Sequence, residues 1–439
     1  MSKTRRQFLT DSSKALAAVS IAPFAASTLH PKKGSPGDRI NVALIGSRSQ
    51  GFADLHQALK QPNVECIAIC DIDDSVLNQR VDDVYKIQNK KPAQYKDFRK
   101  LLENKDIDAV MIGTPDHWHC LQMIAACESG KDVYVEKPLA NSIYEADRMV
   151  HAVRKYNKIV QVGQQQRSGD HWKTAMDFIK GGKIGKLRKI LVWGNFNYGI
   201  GQPNMPDEPV PAGVDFDMWL GPAPQRSFNK TRFHGSWRMF WDYGGGLMTD
   251  WGVHLMDMAL WATEATEMPL AVSSAGGNFA YPDHSHETFD TMSVQYQMRD
   301  HTIVWEHTAG IQTGPYGRNY GLAFIGNDGT LVIDRESWDL FPEMDNGQYK
   351  IGALPTQNGH DSHETHVKNW VDCIRSRKEP NCPIEKGRLA AVYTHMGNIA
   401  LRTNSRLEWN EATQNFRSNP SANALLTPNY RKPWSLPKI

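Results

Sequence analysis

From residue 39 to residue 163 the chain repeats one unit: a short apolar run, a break, and a stretch of helical length. The runs are Arg39 to Ile45, Val64 to Cys70, Asp108 to Gly113, Asp132 to Val135 and Ile159 to Gly163, with a less regular one between the second and third of these. Strands buried on both faces read as continuous apolar runs, and parallel neighbours need a connection long enough for a helix. The alternation therefore predicts a doubly wound α/β domain over residues 38–163. Ligands of such a sheet bind in the crevice at the carboxyl ends of its strands, so the residues following each run carry the functional information.

The first break is Gly46-Ser47-Arg48-Ser49-Gln50-Gly51, leading into a helix near Phe52. Strand, glycine turn and helix open a dinucleotide-binding unit, in which the pyrophosphate lies on the helix amino terminus. Arg48 stands where the motif has its middle glycine, and its side chain either pushes the pyrophosphate outward or neutralises it. The second run ends in Asp71. A carboxylate there accepts hydrogen bonds from a ribose diol and repels a 2′-phosphate, which favours NAD over NADP.

The run at Asp132 continues into Glu136-Lys137-Pro138-Leu139. A lysine at this edge, once desolvated, is able to accept and return a proton near neutral pH. The run before it breaks at Thr114-Pro115, and the following helix carries His117 and His119 in its first turn. Residues i and i+2 diverge on a helix, which argues against a metal pair. The run at Ile159 ends in Gln164-Gln165-Gln166-Arg167, polar groups at the same edge.

Beyond residue 163 the pattern changes. Leu187 to Trp193, Ala271 to Phe279, Asp290 to Gln297, Thr302 to Thr308 and Tyr320 to Ile325 alternate, with tight turns at Arg299-Asp300 and Asn327-Asp328-Gly329. They predict an α+β domain, residues 164–439, on an open, mostly antiparallel sheet. Between its first two strands lies an aromatic insertion, Trp219 to Gly246, followed by Leu247 to Asp257. If that last run is one helix, Asp250 and His254 share a face and Asp257 follows one turn on. The lead-in Gly244-Gly245-Gly246 permits close approach of backbone to a ligand. His360, His363 and His366 spread around a solvated helix start. An apolar stripe at Val367, Trp370, Val371 and Ile374 marks an amphipathic helix. The proline-containing tail from Ser421 reads as an extended arm without regular structure.

The formal net charge is +2, from 50 basic and 48 acidic side chains, and supplies no field to recruit nucleic acid or a membrane surface. Thr4-Arg5-Arg6-Gln7-Phe8-Leu9 is a twin-arginine signature. The small-residue run Ala15 to Thr28 has signal-peptide length but is too short and too weakly apolar to stay in a bilayer. Residues 1–30 are thus expected to be a twin-arginine signal peptide, and the protein periplasmic and exported folded. The six cysteines show no CxxC or zinc-ribbon spacing. Cys66 and Cys70 fall on one strand, Cys120 and Cys127 on one helix, and Cys373 and Cys382 are the pair a turn would bring together.

The glycine turn at 46–51, Asp71, Thr114-Pro115 with His119, Glu136-Lys137-Pro138 and the glycine-rich run into Asp250 and His254, in that order, resemble the glucose-fructose oxidoreductase and inositol dehydrogenase family (Gfo/Idh/MocA). The resemblance covers nearly everything after the signal. It implies a Rossmann domain, a second α/β domain whose open sheet is often used for oligomerisation, NAD(P)-linked chemistry on sugars or polyols, and a Lys/Asp/His site carried by Lys137, Asp250 and His254. Arg48 departs from the family pattern. Cofactor contacts are expected at Gly46, Ser47, Arg48, Gly51, Asp71, Thr114, Pro115, His119, Glu136, Lys137 and Gln165. Substrate contacts are expected at Arg167, Trp237, Arg238 and Tyr243, with no resident metal. A dimer or tetramer is expected from the tail and the open sheet.

In this reading a secondary alcohol of a sugar, glycoside or polyol gives up a hydride, and its proton passes to Lys137 or His254, with Asp250 orienting the imidazole. The periplasm holds little free NAD(H), so the cofactor is expected to stay bound and be recycled, by a second sugar, by epimerisation, or by glycoside cleavage through a transient keto sugar. Two other classes compete. One is a metal-assisted hydrolase or lyase with Asp250, His254 and His119 as ligands. The other is a sugar-binding protein without catalysis.

Overall fold

The computed structural model describes residues 39–439, so the expected signal at 1–30 lies outside the described residues. Six parallel strands, β1 (Ile40–Ile45), β2 (Val64–Cys70), β3 (Ala93–Tyr95), β4 (Ala109–Ile112), β5 (Asp132–Val135) and β6 (Val160–Val162), lie in the order β3-β2-β1-β4-β5-β6. This is the doubly wound sheet expected from the alternation. Successive side chains of a strand face opposite ways. Ala43 and Ile45 pack with the helices Phe98–Leu102, Asp116–Glu128 and Ile143–Tyr156. Val42 and Leu44 pack with Ser49–Leu59, Asp74–Gln88 and, from far down the chain, His363–Ser376.

That last helix changes one expectation. Val367, Trp370 and Val371 need an apolar partner and find the parallel sheet, which draws the helix's first turn inward with them. His366 is therefore fully buried rather than solvated, with Ser168 Oγ at 2.7 Å and Val162 O at 2.9 Å from its ring nitrogens. Burial pushes its pKa down to about 3. His363 reaches the buried carboxylate of Asp54 at 2.7 Å.

The second sheet has eight strands. In chain order the elements are β7 (Leu187–Gly194), β8 (Gln202–Pro203), β9 (Ala271–Gly277), β10 (His284–Ser285), β11 (Thr291–Gln297), β12 (Thr302–Thr308), β13 (Tyr320–Gly326), β14 (Gly329–Ile333) and β15 (Ser337–Pro342). The pair β8 and β10 forms a separate ribbon. The large sheet runs from an edge strand Gln357–Asn358 through β15-β14-β13-β7-β12-β11 to β9. Its pairs are antiparallel except β7 with β12, which run parallel. Met292, Val294 and Tyr296 alternate with exposed Ser293, Gln295 and Gln297, and their buried face joins one core with the helices Gly252–Ala262 and Ile384–Arg402. The strand β14 escaped the sequence reading because it is buried along its whole length and shows no alternation.

Asp250 and His254 do not share one helix. Gly246–Asp250 and Gly252–Ala262 are separate helices joined at Trp251. The tail is not wholly irregular either. Pro420–Ala424 forms a short helix, with proline tolerated in its first turn and Asn419 Oδ1 accepting from Ala422 N at 2.9 Å. The arm after it touches both domains, with Tyr430 bonded to Glu145, Arg431 Nη1 donating to Asp217 at 2.6 Å, and Trp434 edge-on to Trp118. All six cysteines are buried and free, and Cys373 Sγ donates to Glu379 O instead of bonding to Cys382. No helix among the described residues is long and apolar enough to cross a membrane.

Candidate active site

The carboxyl ends of β1, β2, β4 and β5 form the floor of a groove lined by Gly46, Arg48, Gln50, Asp71, Thr114, Pro115, Glu136 and Lys137. Trp219, Trp237 and Arg238 from the second domain wall it in. Gly46 has φ +79°, and a Cβ there would stand 2.7 Å from Thr114 N, so only glycine lets the turn and the loop after β4 come this close. Gly51 closes the turn by packing, since a Cβ on it would meet Gly46 O at 2.2 Å.

Ser47 is fully buried and lies beneath the groove rather than in it. Its N–H and Oγ donate to Asp71 Oδ2 at 2.8 and 2.9 Å, and Asp73 N donates to Oδ1 at 3.1 Å. A buried carboxylate takes the nearest donors. Asp71 is thus both groove wall and tether of the glycine turn. Arg48 is exposed and has no ion-pair partner among the described residues. His119, expected on the cofactor, is instead buried, with Pro138 O at 2.8 Å and Thr114 O at 2.9 Å from its ring nitrogens. Burial brings its pKa down to about 4, so the neutral ring donates to one carbonyl and buckles the loop after β4 to the end of β5.

A second chamber lies on the other side of Lys137, and Gln50, Glu136 and Lys137 belong to both walls. It is lined by Gln165, Gln166, His171, Trp251, His254 and Arg335 among others. Lys137 Nζ donates to Asp250 Oδ1 at 2.7 Å and to Asp250 O at 2.9 Å. Tyr198 donates to Oδ2 at 3.0 Å, and Arg238 Nε to Oδ1 at 3.2 Å. Burial opposes the charge on Asp250, but the Lys137 ammonium and the Arg238 guanidinium outweigh it and hold the carboxyl below its ordinary range. Asp250 therefore orients Lys137 and not the imidazole of His254, because the break at Trp251 turns it away from the longer helix. His254 Nδ1 is buried without a hydrogen-bond partner. Burial first, and then the charges of Lys137 and Arg335, push its pKa well below 6.5, so its ring is neutral at neutral pH. Glu136, which takes the Gln165 amide at 3.1 Å, is pushed the other way by burial and by the Asp54 carboxylate.

Two of the four expected substrate contacts belong to the interior. Arg167 is 7% exposed and forks onto Asp257 at 2.8 and 2.7 Å, a buried guanidinium satisfied by a buried carboxylate. Tyr243 is fully buried, its ring against His117 and Trp219 and its hydroxyl without a hydrogen-bond partner. Trp237 and Arg238 reach the groove rather than the second chamber. The ligand set Asp250, His254 and His119 is not assembled, since His119 and Asp250 are committed to other partners; among the described residues no three His, Cys, Asp or Glu side chains gather around a point. Tyr198, Trp251 and Arg335 were missed. Tyr198 precedes Gly199 and Gly201, the kind of aromatic loop that marks a site, whereas Arg335 follows a buried strand and carries no local signal.

The groove suits a dinucleotide in its donor set: an open glycine turn, the unpaired cation Arg48 for a pyrophosphate, and Asp71 at the end of β2. Fold and groove together define a two-domain protein with a nucleotide-binding Rossmann domain. The chain belongs to the Gfo/Idh/MocA oxidoreductase family: residues 40–164 match "Oxidoreductase family, NAD-binding Rossmann fold" and residues 186–436 match "Oxidoreductase family, C-terminal alpha/beta domain".

The chain is 32% identical over 154 residues to a glycosyl hydrolase family 109 protein of Shewanella baltica, a match covering 34% of each chain. It is 31% identical over 152 residues to an alpha-N-acetylgalactosaminidase of Shewanella oneidensis, covering 34% of this chain and 33% of that one. The matches thus span about a third of these relatives' length. The WlbA dehydrogenase from Bordetella pertussis, solved in complex with NADH and UDP-GlcNAcA, superposes with TM-score 0.63 at 17% identity over 85% of this chain and 99% of that one, a likeness of fold.

Proposed function

We propose that this protein is an enzyme with a tightly held nicotinamide cofactor, NAD rather than NADP, which acts on a secondary alcohol of a sugar or glycoside and recycles the cofactor within one site. The observation that carries this is Lys137, paired with Asp250 in the wall common to the dinucleotide groove and the second chamber. A nicotinamide bound in the groove supplies a hydride acceptor and donor. Gly46 and Arg48 would hold its pyrophosphate, and Asp71 would favour a ribose diol over a 2′-phosphate. Lys137, its ammonium fixed by Asp250, holds the substrate hydroxyl in place. Neutral His254 takes the hydroxyl proton as the carbonyl forms and later returns it. The glycosidase names of the two Shewanella relatives favour a redox-neutral outcome, in which a transient keto sugar loosens a glycosidic bond before reduction. Export to the periplasm through residues 1–30 fits a cofactor that is not released.

Protein purified without added nucleotide is expected to carry NAD(H), identified by mass spectrometry, whose absorbance changes on incubation with glycosides or free sugars. Empty protein that binds NAD weakly would overturn the proposal. The pH profile gives a second check. His254 works in its neutral form, and burial with the Lys137 and Arg335 charges keeps that form below pH 6.5, so turnover should hold as pH falls through 6.5 and drop only below it. An acid limb centred at or above 6.5 would point to another base.

A further inference from the structure

The second chamber contains one cation that nothing answers. Of its charged wall groups, Lys137 is paired with Asp250, Glu136 takes the Gln165 amide, Glu336 takes the Tyr320 hydroxyl at 2.9 Å, and Asp361 takes the His363 N–H at 3.0 Å. Arg335 has no ion pair or side-chain hydrogen bond among the described residues. Yet it is held in place. Its guanidinium lies 4.6 Å over the Trp251 ring, whose other stacking partner is Phe196 at 4.3 Å. Beside it in the wall, Gln166 is 2% exposed, and neither its amide oxygen nor its nitrogen has a hydrogen-bond partner.

A positioned guanidinium presents a planar fork that matches an oxyanion with two parallel hydrogen bonds. A buried amide with both ends unsatisfied is costly unless a ligand completes it. We propose that the second chamber selects sugars bearing an oxyanion, a carboxylate as in a uronic acid or a sulfate ester, with Arg335 binding the anion and Gln166 an adjacent polar group. The inference rests on the assignment of this chamber to substrate. Neutral sugars satisfy Gln166 but leave Arg335 unanswered.

The test is calorimetric binding to the full-length protein with its bound nicotinamide. The probes are methyl glucuronoside and methyl galacturonoside, the sulfate esters of methyl glucoside and methyl galactoside, and the two unmodified glycosides. At least one acidic probe should bind about 10- to 100-fold more tightly than its neutral counterpart, the span expected of hydrogen bonds to a charged group. Which acidic arm binds distinguishes carboxylate from sulfate. Arg335→Met should erase that difference, and Arg335→Lys, which keeps the charge and loses the fork, should retain part of it; thermal melting confirms that each variant is folded. Equal affinity for acidic and neutral probes, or a preference that survives in folded Arg335→Met, overturns the inference. Binding is read without turnover, so the two proposals fail separately. Nicotinamide reduced by neutral sugars alone would leave the enzyme assignment standing, and an acid-selective chamber in protein without nicotinamide would leave this one.

Discussion

Lys137→Met, by releasing the substrate hydroxyl from its position, is expected to lower turnover by about 10²-fold or more while leaving the nicotinamide content of the purified protein unchanged. Methionine keeps most of the apolar stem but loses the charge and the donors that reach Asp250 at 2.7 and 2.9 Å. Removing one partner of a buried ion pair ordinarily strands the other. Here Asp250 keeps the Tyr198 hydroxyl and Arg238, so the variant should still fold. Steady-state kinetics with mass spectrometry of the bound nucleotide read both halves of the expectation. A Met variant with normal turnover would remove Lys137 from the chemistry.

Arg167→Met is expected to cost about 3–5 kcal/mol of stability, because it strands a carboxylate that is 1% exposed. Burial already pushes the Asp257 pKa up, and Arg167 is the first group that lowers it. Without the guanidinium the folded-state pKa lies further above the unfolded value. The variant's deficit should therefore grow as pH rises through that range and shrink as pH falls. Denaturant midpoints across pH measure this, and the double variant Arg167→Met, Asp257→Leu should recover much of the loss. A single variant as stable as the parent at neutral pH would show that the pair is not buried as described.

The first domain was legible because most of its strands are buried on both faces while helices such as Asp74–Gln88 and Ile143–Tyr156 bury one stripe, a contrast that local sequence carries. The antiparallel hairpin at Arg299-Asp300 was legible from alternation ending in turn residues, whereas at Asn327-Asp328 only the turn residues carried the signal, because both flanking strands are buried almost throughout. What escaped depended on contacts distant in sequence. Arg167 looked like a ligand contact at a strand edge until Asp257, ninety residues on, claimed it. His366 looked solvated because the sheet it packs under lies more than two hundred residues earlier. Lys137 and His254 line one chamber as the sequence suggested, but the pairing differs: spacing along the chain suggested Asp250 with His254, and the break at Trp251 leaves Asp250 paired with Lys137. Arg335 has no periodicity or motif around it and emerges only when Trp251 is stacked beneath it.

Lys137 and His254 should flank the reactive ring of a bound nicotinamide from the wall between the two chambers. A crystal structure of the full-length protein with NADH would locate that ring. The prediction is a pyrophosphate at Gly46 and Arg48 and a nicotinamide ring beside Lys137, open toward His254. A ring lodged outside the groove, or turned to a face from which Lys137 and His254 cannot be reached, would contradict it.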